Sequence, residues 1–132
     1  MIVLDASAVL ELLLETPRAG LVRERIGRVE ESLHAPHLLD VEVAQVLRRY
    51  HLAGSLSAER GAQALLDLAD LDITRYPHDV LLSRIWELRA TVTAYDAAYL
   101  AVAEVLGSPL LTFDRRLASA PGHLARVELL PR

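Results

Sequence analysis

Four acidic residues of this sequence lie inside or at the edge of apolar segments, where an isolated charge is unfavourable. They are Asp5, Glu42, Asp96 and Asp114. An ionised carboxylate that is removed from water needs a proton, a basic partner or a cation. The chain has no Lys, and Arg supplies all 14 of its basic residues. The pattern therefore indicates a metal site, because hard ions such as Mg²⁺ and Mn²⁺ choose oxygen ligands and keep several waters.

A metal site of this kind has a definite chemistry. A divalent ion bound by carboxylates can orient and deprotonate a water molecule and can stabilise charge on a phosphoryl oxygen. The predicted substrate therefore contains a phosphodiester. The formal net charge of −4 gives the chain no general nucleic-acid-binding footprint. Any groove for a nucleic acid must be local and must depend on a few Arg residues.

Two of the acids are predicted to follow buried strands. Asp5 comes directly after the apolar run Ile2–Leu4, and a helical pattern begins behind it. Asp114 follows the apolar run 110–113 in the same way. In open parallel sheets, ligands bind in the crevice beyond the carboxyl ends of the strands. We therefore expect both carboxylates to point into one crevice.

The other two acids are predicted on helices. Glu42 lies near the start of a helix that ends at Gly54, and helical spacing places Gln45 and Arg49 on its face. Asp96 is expected to open an almost wholly apolar helix that ends before Gly107. Taken alone, each of these residues has a purely structural explanation: Asp96 is favoured by the helix dipole or as a cap, and Asp114 as a helix N-cap.

Strands alternate with helices along the whole chain, which predicts an α/β fold. We expect a three-layer sandwich in which a central, mainly parallel sheet is flanked by helices. No internal repeat or linker divides the sequence, so residues 1–132 are predicted to form a single domain. The predicted strands are 2–4, 33–35, 72–76, 110–113 and 127–130, and one further helix is predicted over 79–91.

Four segments of the chain closely resemble the four sequence motifs of PIN-domain nucleases. They surround Asp5, Glu42, Asp96 and Asp114, and they cover residues 2–8, 39–47, 93–100 and 111–117. Within that family the chain is most similar to the VapC toxins of bacterial toxin–antitoxin pairs. One such motif is weak evidence, whereas four in order at family-like spacing are specific. The resemblance covers essentially the whole chain and implies a PIN-like fold.

The resemblance also implies roles for individual residues. Asp5, Glu42, Asp96 and Asp114 match the acidic metal-binding and catalytic quartet of the family. Three further residues match positions expected to support those carboxylates: Ser7, Thr112 and, less closely, Gln45. Many relatives have Asn at the position of Gln45, and this chain contains no Asn. The candidate contacts to RNA are Arg49, on the face of Glu42, and Arg115, after Asp114, with Arg48, Arg89 and Arg116 as further possibilities.

A member of this family is expected to be a Mg²⁺- or Mn²⁺-dependent endoribonuclease that is inhibited by a small cognate antitoxin of VapB type. The resemblance further implies a homodimer. For the antitoxin, the apolar residues Leu10, Leu13 and Leu14 of the first helix are predicted to offer a groove. The chain has no Cys and no apolar run long enough to span a membrane, so we expect a cytoplasmic protein.

Three alternatives stay open at this stage. A structure-specific DNA nuclease would be expected to have longer insertions and a more basic surface. A non-catalytic regulatory PIN module would usually have lost part of the quartet, which is intact here. A small phosphatase would cleave p-nitrophenyl phosphate. The five His residues show no metal-ligand spacing, and we do not expect them to take part in the chemistry.

Overall fold

The computed structural model describes residues 1–28 and 31–131, and within them strands alternate with helices. The strands are β1 (Ile2–Leu4), β2 (Leu33–Pro36), β3 (Ile73–Tyr76), β4 (Leu110–Thr112) and β5 (Val127–Leu129). The helices are α1 (Ala6–Leu13), α2 (Ala19–Ile26), α3 (Leu38–Leu52), α4 (Ala58–Asp70), α5 (Leu82–Glu87), α6 (Ala94–Leu106) and α7 (Arg115–Ala118), and a 3₁₀ turn (Asp79–Leu81) precedes α5.

The strands form one sheet in the order β3-β2-β1-β4-β5. Each neighbouring pair is parallel; for example, Val3 of β1 is in register with His34 of β2 and with Leu110 of β4. The expected α/β architecture is therefore confirmed, and the sheet in the described part of the chain is wholly parallel. The chain adds strands in one direction from β1 to β3 and then crosses β1 to place β4 on its other side.

This reversal of direction assigns the helices to two layers. Parallel crossover connections are right-handed, so α1 to α4 cover one face of the sheet and α5 to α7 cover the other. The contacts agree: α1 touches α2, α3 and α4, whereas α6 lies across β1, β2 and β4 and contacts α5. The reversal also creates a crevice between the carboxyl ends of β1 and β4, which is where ligands bind in such sheets.

Burial explains why these segments form the centre of the fold. Every residue of β1 and β4 is buried, as expected for strands covered by helices on both faces. Helix α6 is buried continuously from Ala97 to Ala103, because small Ala side chains let it lie close against the sheet. Gly107 ends α6 in the left-handed conformation, with φ at 62°, which favours glycine.

Two predicted helices differ from the sequence-based predictions. The predicted helix 79–91 is broken into the 3₁₀ turn and α5, which ends at Glu87. Helix α6 begins at Ala94 rather than at Asp96, because the Thr93 hydroxyl accepts the hydrogen bond from the backbone N–H of Asp96 and caps the helix. Asp96 is therefore the third residue of the helix, where the helix dipole still favours an acid.

The apolar side of α1 is used by the core. Leu10 and Leu13 are buried, and Leu14 is partly buried. The groove expected at these residues is present only at Leu13, which lines an open depression with Leu12, Ile26 and Leu71, whereas Leu10 packs in the core. The depression has a volume of about 570 Å³, and its lining adds polar residues such as Arg23, Arg60 and Asp67 to the apolar ones. Across residues 1–28 and 31–131, the helices are too short or too polar to cross a bilayer.

Candidate active site

Asp5 lies at the floor of the crevice and is held by three donors. It follows β1 and is the N-cap of α1, so one carboxylate oxygen accepts the Ala8 backbone N–H at 3.1 Å. The same oxygen accepts the Ser7 hydroxyl at 2.6 Å, and the other oxygen accepts the Thr112 hydroxyl at 2.5 Å. Only 7% of Asp5 is exposed. The carboxylate is therefore fixed in place before any ligand binds.

The two hydroxyls that hold Asp5 also connect β1 with β4. Besides donating to Asp5, the Thr112 oxygen accepts the backbone N–H of Asp114 at 2.9 Å. The Ser7 oxygen accepts the backbone N–H of Phe113 at 3.0 Å. Both hydroxyls therefore act as donor and acceptor at once. This arrangement fixes the turn that follows β4 relative to Asp5, and it gives Ser7 and Thr112 the supporting position expected from the sequence.

Asp114 and Asp96 approach the crevice from α7 and α6. Asp114 is the N-cap of α7, and its carboxylate accepts backbone N–H groups of Arg116 and Leu117. The Arg116 guanidinium lies 3.4 Å from an oxygen of Asp114 and 3.7 Å from an oxygen of Asp96. Asp114 is therefore a helix cap and also a member of the acidic cluster, and Arg116 is the basic side chain next to that cluster.

Glu42 reaches the site from α3 and is held by a residue that the sequence analysis did not select. The Tyr99 hydroxyl donates to a Glu42 carboxylate oxygen at 2.5 Å. Tyr99 is 2% exposed and stands one helical turn after Asp96 on α6. Its signal in the sequence was weak, because a Tyr in an apolar helix reads as core filling. The supporting hydrogen bond to Glu42 thus comes from Tyr99, and not from Gln45.

Burial and mutual repulsion disfavour the charged forms of these acids. Burial raises the pKa of Asp5, and the charge of Asp114 adds to the rise, although its hydrogen-bond donors oppose it. Burial likewise raises the pKa of Glu42, with further contributions from Asp5 and Asp96. For Asp96, burial raises the pKa, Arg116 lowers it and Asp114 raises it. The charges of all four acids are therefore felt within one site.

The donor set fits a hard, hydrated cation. It offers carboxylate and hydroxyl oxygens, and the Arg116 guanidinium contacts two of the four acids, Asp96 and Asp114. Within residues 1–28 and 31–131, no three or more His, Cys, Asp or Glu side chains are arranged to hold a metal ion as they stand. An ion that keeps several of its waters needs fewer direct protein ligands than an enclosed one does. The residues therefore suit Mg²⁺ or Mn²⁺ better than Zn²⁺.

The other predicted residues surround this centre at its edge. Gln45 and Arg49 line an open cleft of about 410 Å³ together with Glu42 and Tyr95. In the part of the chain that the structure describes, Gln45 makes no hydrogen bond with the acids. Arg115 is exposed at the start of α7, and it is the next residue, Arg116, whose guanidinium contacts the acids.

Comparison with known proteins relates this arrangement to one family. Residues 2–122 match the PIN domain. The chain is 44% identical to Ribonuclease VapC9 of Mycobacterium tuberculosis over 132 residues, which cover 100% of both chains. It is 42% identical to Ribonuclease VapC12 of the same organism over 130 residues, which cover 98% of this chain and 99% of the relative.

Solved structures share the fold at much lower identity. Mycobacterium tuberculosis VapC20, described as a Sarcin-Ricin loop cleaving toxin, superimposes with a TM-score of 0.70 at 16% identity and covers 90% of this chain and 94% of its own. VapBC2 from Rickettsia felis, bound to a DNA fragment from its promoter, has a TM-score of 0.70 at 14% identity and covers 98% of each chain. With the matched domain and the near-full-length relatives, these findings establish that the chain belongs to the PIN domain family, among its VapC members.

Proposed function

We propose that this chain is a toxin-type endoribonuclease, a hydrolase that cleaves RNA phosphodiester bonds with a divalent metal ion. The observation that carries the proposal is the meeting of Asp5, Glu42, Asp96 and Asp114 at the carboxyl end of a parallel sheet. Full-length relatives named as ribonucleases support the same activity. The site is the one expected for a phosphodiesterase, since its residues supply only oxygen ligands and negative charge.

In this proposal the four carboxylates would hold a Mg²⁺ or Mn²⁺ ion. When bound, the ion supplies an activated water and offsets charge on the phosphoryl oxygen. The chain's own residues do the positioning: Ser7 and Thr112 orient Asp5, and Tyr99 orients Glu42. Hydrogen bonds from such outer residues fix the direction of a ligand's lone pairs and tune its basicity. Gln45, next to Glu42 in the cleft, stays a weaker candidate for the same role.

The substrate must reach an acidic centre, so cationic side chains nearby are needed. Arg49 lies in the cleft that contains Glu42, which supports its predicted contact with RNA. Arg115 stays a predicted RNA contact because it is exposed beside Asp114. A DNA nuclease or a regulatory module that lacks catalysis would be the alternative. The intact set of acids argues against the second, and the ribonuclease relatives argue against the first.

We further propose that a small VapB-like antitoxin controls the enzyme in the cytoplasm. The support comes from solved complexes of similar fold: VapBC2 combines a toxin with its antitoxin. We also propose that residues 1–132 act as a single domain and that two copies form a homodimer. Size-exclusion chromatography with light scattering, applied to the chain alone and with its antitoxin, tests both associations.

A cleavage assay tests the central proposal. Purified protein is incubated with a labelled single-stranded RNA in Mg²⁺, in Mn²⁺ and in excess EDTA, and Asp5→Asn serves as the inactive control. Cleavage is expected with either ion and is expected to be lost in EDTA and in the variant. Full activity in EDTA would contradict metal dependence, and cleavage of p-nitrophenyl phosphate without cleavage of RNA would indicate a phosphatase instead.

The ends of the fragments test the nucleophile. If water attacks the phosphorus and the bond to the 3′ oxygen breaks, the products carry a 5′-phosphate and a 3′-hydroxyl. A 2′-deoxy substitution at the cut site should then leave the chemical step possible. Mass spectrometry of the fragments reads the ends directly. A 2′,3′-cyclic phosphate would show that the 2′-hydroxyl of the RNA is the nucleophile.

A further inference from the structure

A second open cleft, distinct from the one that Arg49 lines, adjoins the acidic centre. It has a volume of about 420 Å³ and lies between the segment that precedes α6 and helix α7. Its lining includes Arg89, Thr91, Thr93, Asp96 and Arg116. Because Asp96 belongs to the acidic cluster, the cleft is continuous with the proposed site of cleavage. It therefore offers a path for a substrate that extends beyond the scissile bond.

One wall of the cleft carries a cation without an acidic partner. Across residues 1–28 and 31–131, no carboxylate lies within 4.0 Å of the Arg89 guanidinium, whereas Arg84 on α5 is paired with Glu87 and Glu104. Arg89 is nevertheless oriented, because one of its nitrogens donates to the Trp86 carbonyl oxygen at 2.8 Å. A guanidinium has five N–H donors, so most of them stay available to an anion.

The same Arg lies against an exposed aromatic ring. The Arg89 guanidinium carbon is 4.5 Å from the centre of the Trp86 ring. Trp86 is 68% exposed, and it is the chain's single Trp. An exposed Trp beside an unpaired Arg is a surface on which an unstacked base can lie, since every base has a π face.

The opposite wall carries the second cation. Arg116 is 74% exposed, and its contacts with Asp96 and Asp114 are 3.7 and 3.4 Å long. These contacts involve one terminal nitrogen, so the remaining donors of the guanidinium are available to the cleft. Arg89 and Arg116 thus line a cationic cleft immediately next to the acidic centre. A polyanion would be attracted there by its phosphates while one phosphodiester enters the acidic centre.

We propose that this cleft is a subsite for single-stranded RNA. A phosphate that flanks the scissile bond binds between Arg89 and Arg116, and a neighbouring base stacks on Trp86. This assignment rests on the proposed ribonuclease function and adds to it the side on which the strand leaves the acidic centre. It also predicts a preference for unpaired RNA, because a paired base cannot present its face to Trp86.

The single Trp makes binding directly visible. The full chain is titrated in EDTA with a short oligouridylate, so that binding is observed without cleavage, and Trp fluorescence is recorded. Stacking of a base on Trp86 is expected to quench the emission in a saturable manner. A hairpin with the same residues locked in a duplex should quench less at equal concentration. Saturable binding by anisotropy of labelled RNA without any change in Trp86 emission would overturn the stacking assignment.

Variants then separate the roles of the two walls. Anisotropy of labelled RNA is measured for Arg89→Ala and Arg116→Ala, with Arg126→Ala as the matched control at an exposed Arg that precedes β5 and does not line the cleft. Each of the first two should weaken binding roughly three- to tenfold at low salt. Each should also reduce the slope of log affinity against log salt by about 0.7, the value for one phosphate contact to a single strand.

The ring is tested separately from the charges. Trp86→Ala is expected to weaken binding at least about fivefold without changing the salt slope, and Trp86→Phe should restore most of the loss. Because Trp86 is exposed, neither change threatens the core. Thermal unfolding of each variant confirms that the fold is intact before binding is compared.

The outcomes distinguish this subsite from the function on which it rests. If the wild-type chain binds and cleaves RNA but Arg89→Ala, Arg116→Ala and Trp86→Ala behave like Arg126→Ala, the subsite is wrong and the ribonuclease stands. If the wild-type chain cleaves no RNA under any condition, the proposed function fails first. If the variants lose affinity for the antitoxin and keep their affinity for RNA, the cleft binds a protein and the RNA assignment is overturned.

Discussion

Thr112 is the side chain on which the acidic centre most depends. Its hydroxyl is fully buried, donates to Asp5 and accepts the backbone N–H of Asp114. Thr112→Val keeps the shape but removes one of the three donors to the buried Asp5 carboxylate and the acceptor of the Asp114 backbone N–H. We expect a loss of about 1–3 kcal/mol in the free energy of unfolding, measured by denaturant titration. The same change at the exposed Thr74 of β3 should have little effect, and equal losses at both sites would refute this role.

Tyr99 is expected to act through Glu42. Tyr99→Phe removes the hydroxyl that donates to the Glu42 carboxylate and leaves the ring in the core. Changes in such outer partners typically reduce metal affinity about 10- to 100-fold. Isothermal titration with Mn²⁺ measures the affinity independently of catalysis, and Tyr50→Phe at an exposed tyrosine is the control. An unchanged Mn²⁺ affinity would mean that Tyr99 serves the core alone.

Asp96 shows the conflict between function and stability at a single residue. Burial raises its pKa, so the ionised form is disfavoured in the metal-free protein. Asp96→Asn removes that charge and should abolish cleavage while the free energy of unfolding stays equal or rises by up to about 1 kcal/mol. Thermal unfolding in EDTA, compared with the exposed Asp72→Asn, gives the measurement. A clear loss of stability would indicate that the ion pair with Arg116 outweighs the cost of burial.

At the scale of elements, the start of α3 depends on a distant side chain. The side chain of its N-cap residue, His37, makes no capping hydrogen bond. Instead, the Leu38 backbone N–H donates to a ring nitrogen of His78 at 2.8 Å. His78→Ala should therefore cost about 0.5–2 kcal/mol, the range for losing a helix cap. His78→Gln should recover part of the loss, because its amide oxygen can accept the same hydrogen bond. Identical stabilities for Ala and Gln would contradict the capping role.

The elements also explain what the sequence could and could not predict. Strands β1 and β4 were predicted to within one residue, because a short apolar run bounded by an acid is a local signal. The break at Leu81 and the start of α6 were not predicted. Thr93 and Asp96 are both good helix N-cap residues, and the sequence alone does not show which of them caps α6. The contact of Tyr99 with Glu42 spans 57 positions in sequence. The spacing of apolar residues along the sequence does not indicate contacts between residues so far apart.

For the whole molecule, opposing sets of carboxylates predict how stability depends on pH. Burial raises the pKa of Asp5, Glu42 and Asp96 above the ordinary values of 3.8 and 4.5. The stability that these three acids contribute is therefore fully present below the ordinary pKa values and is lost as the pH rises through the raised ones. Hydrogen bonds from basic partners lower the pKa of another set, whose contribution is lost as the pH falls below 4.5. That set is Glu31, Glu104 and Glu128.

Metal-free protein should consequently become more stable as the pH falls from neutrality toward the ordinary carboxyl pKa, and less stable below it. Saturating Mg²⁺ should move the maximum toward neutral pH, because a cation that binds the ionised acids stabilises the native state alone. Thermal unfolding across a pH series, with and without Mg²⁺, tests both statements. If the melting temperature of the metal-free protein rose steadily from about pH 5 to pH 7, the expected loss of stability on ionisation of Asp5, Glu42 and Asp96 would be contradicted.

The position of β1 between β2 and β4 has a consequence for synthesis. The Asp5 carboxylate receives its bond from Thr112, which lies 107 positions later, and β4 is in turn paired with β5 at the other end of the chain. During synthesis, Asp5 is therefore made long before its centre can be completed, because the contact with Thr112 cannot form until β4 has been synthesised and contacts of such long range form late. If the chain is the proposed ribonuclease, its activity begins only after β4 and β5 have been synthesised, so an antitoxin made earlier can bind the toxin as soon as its site forms.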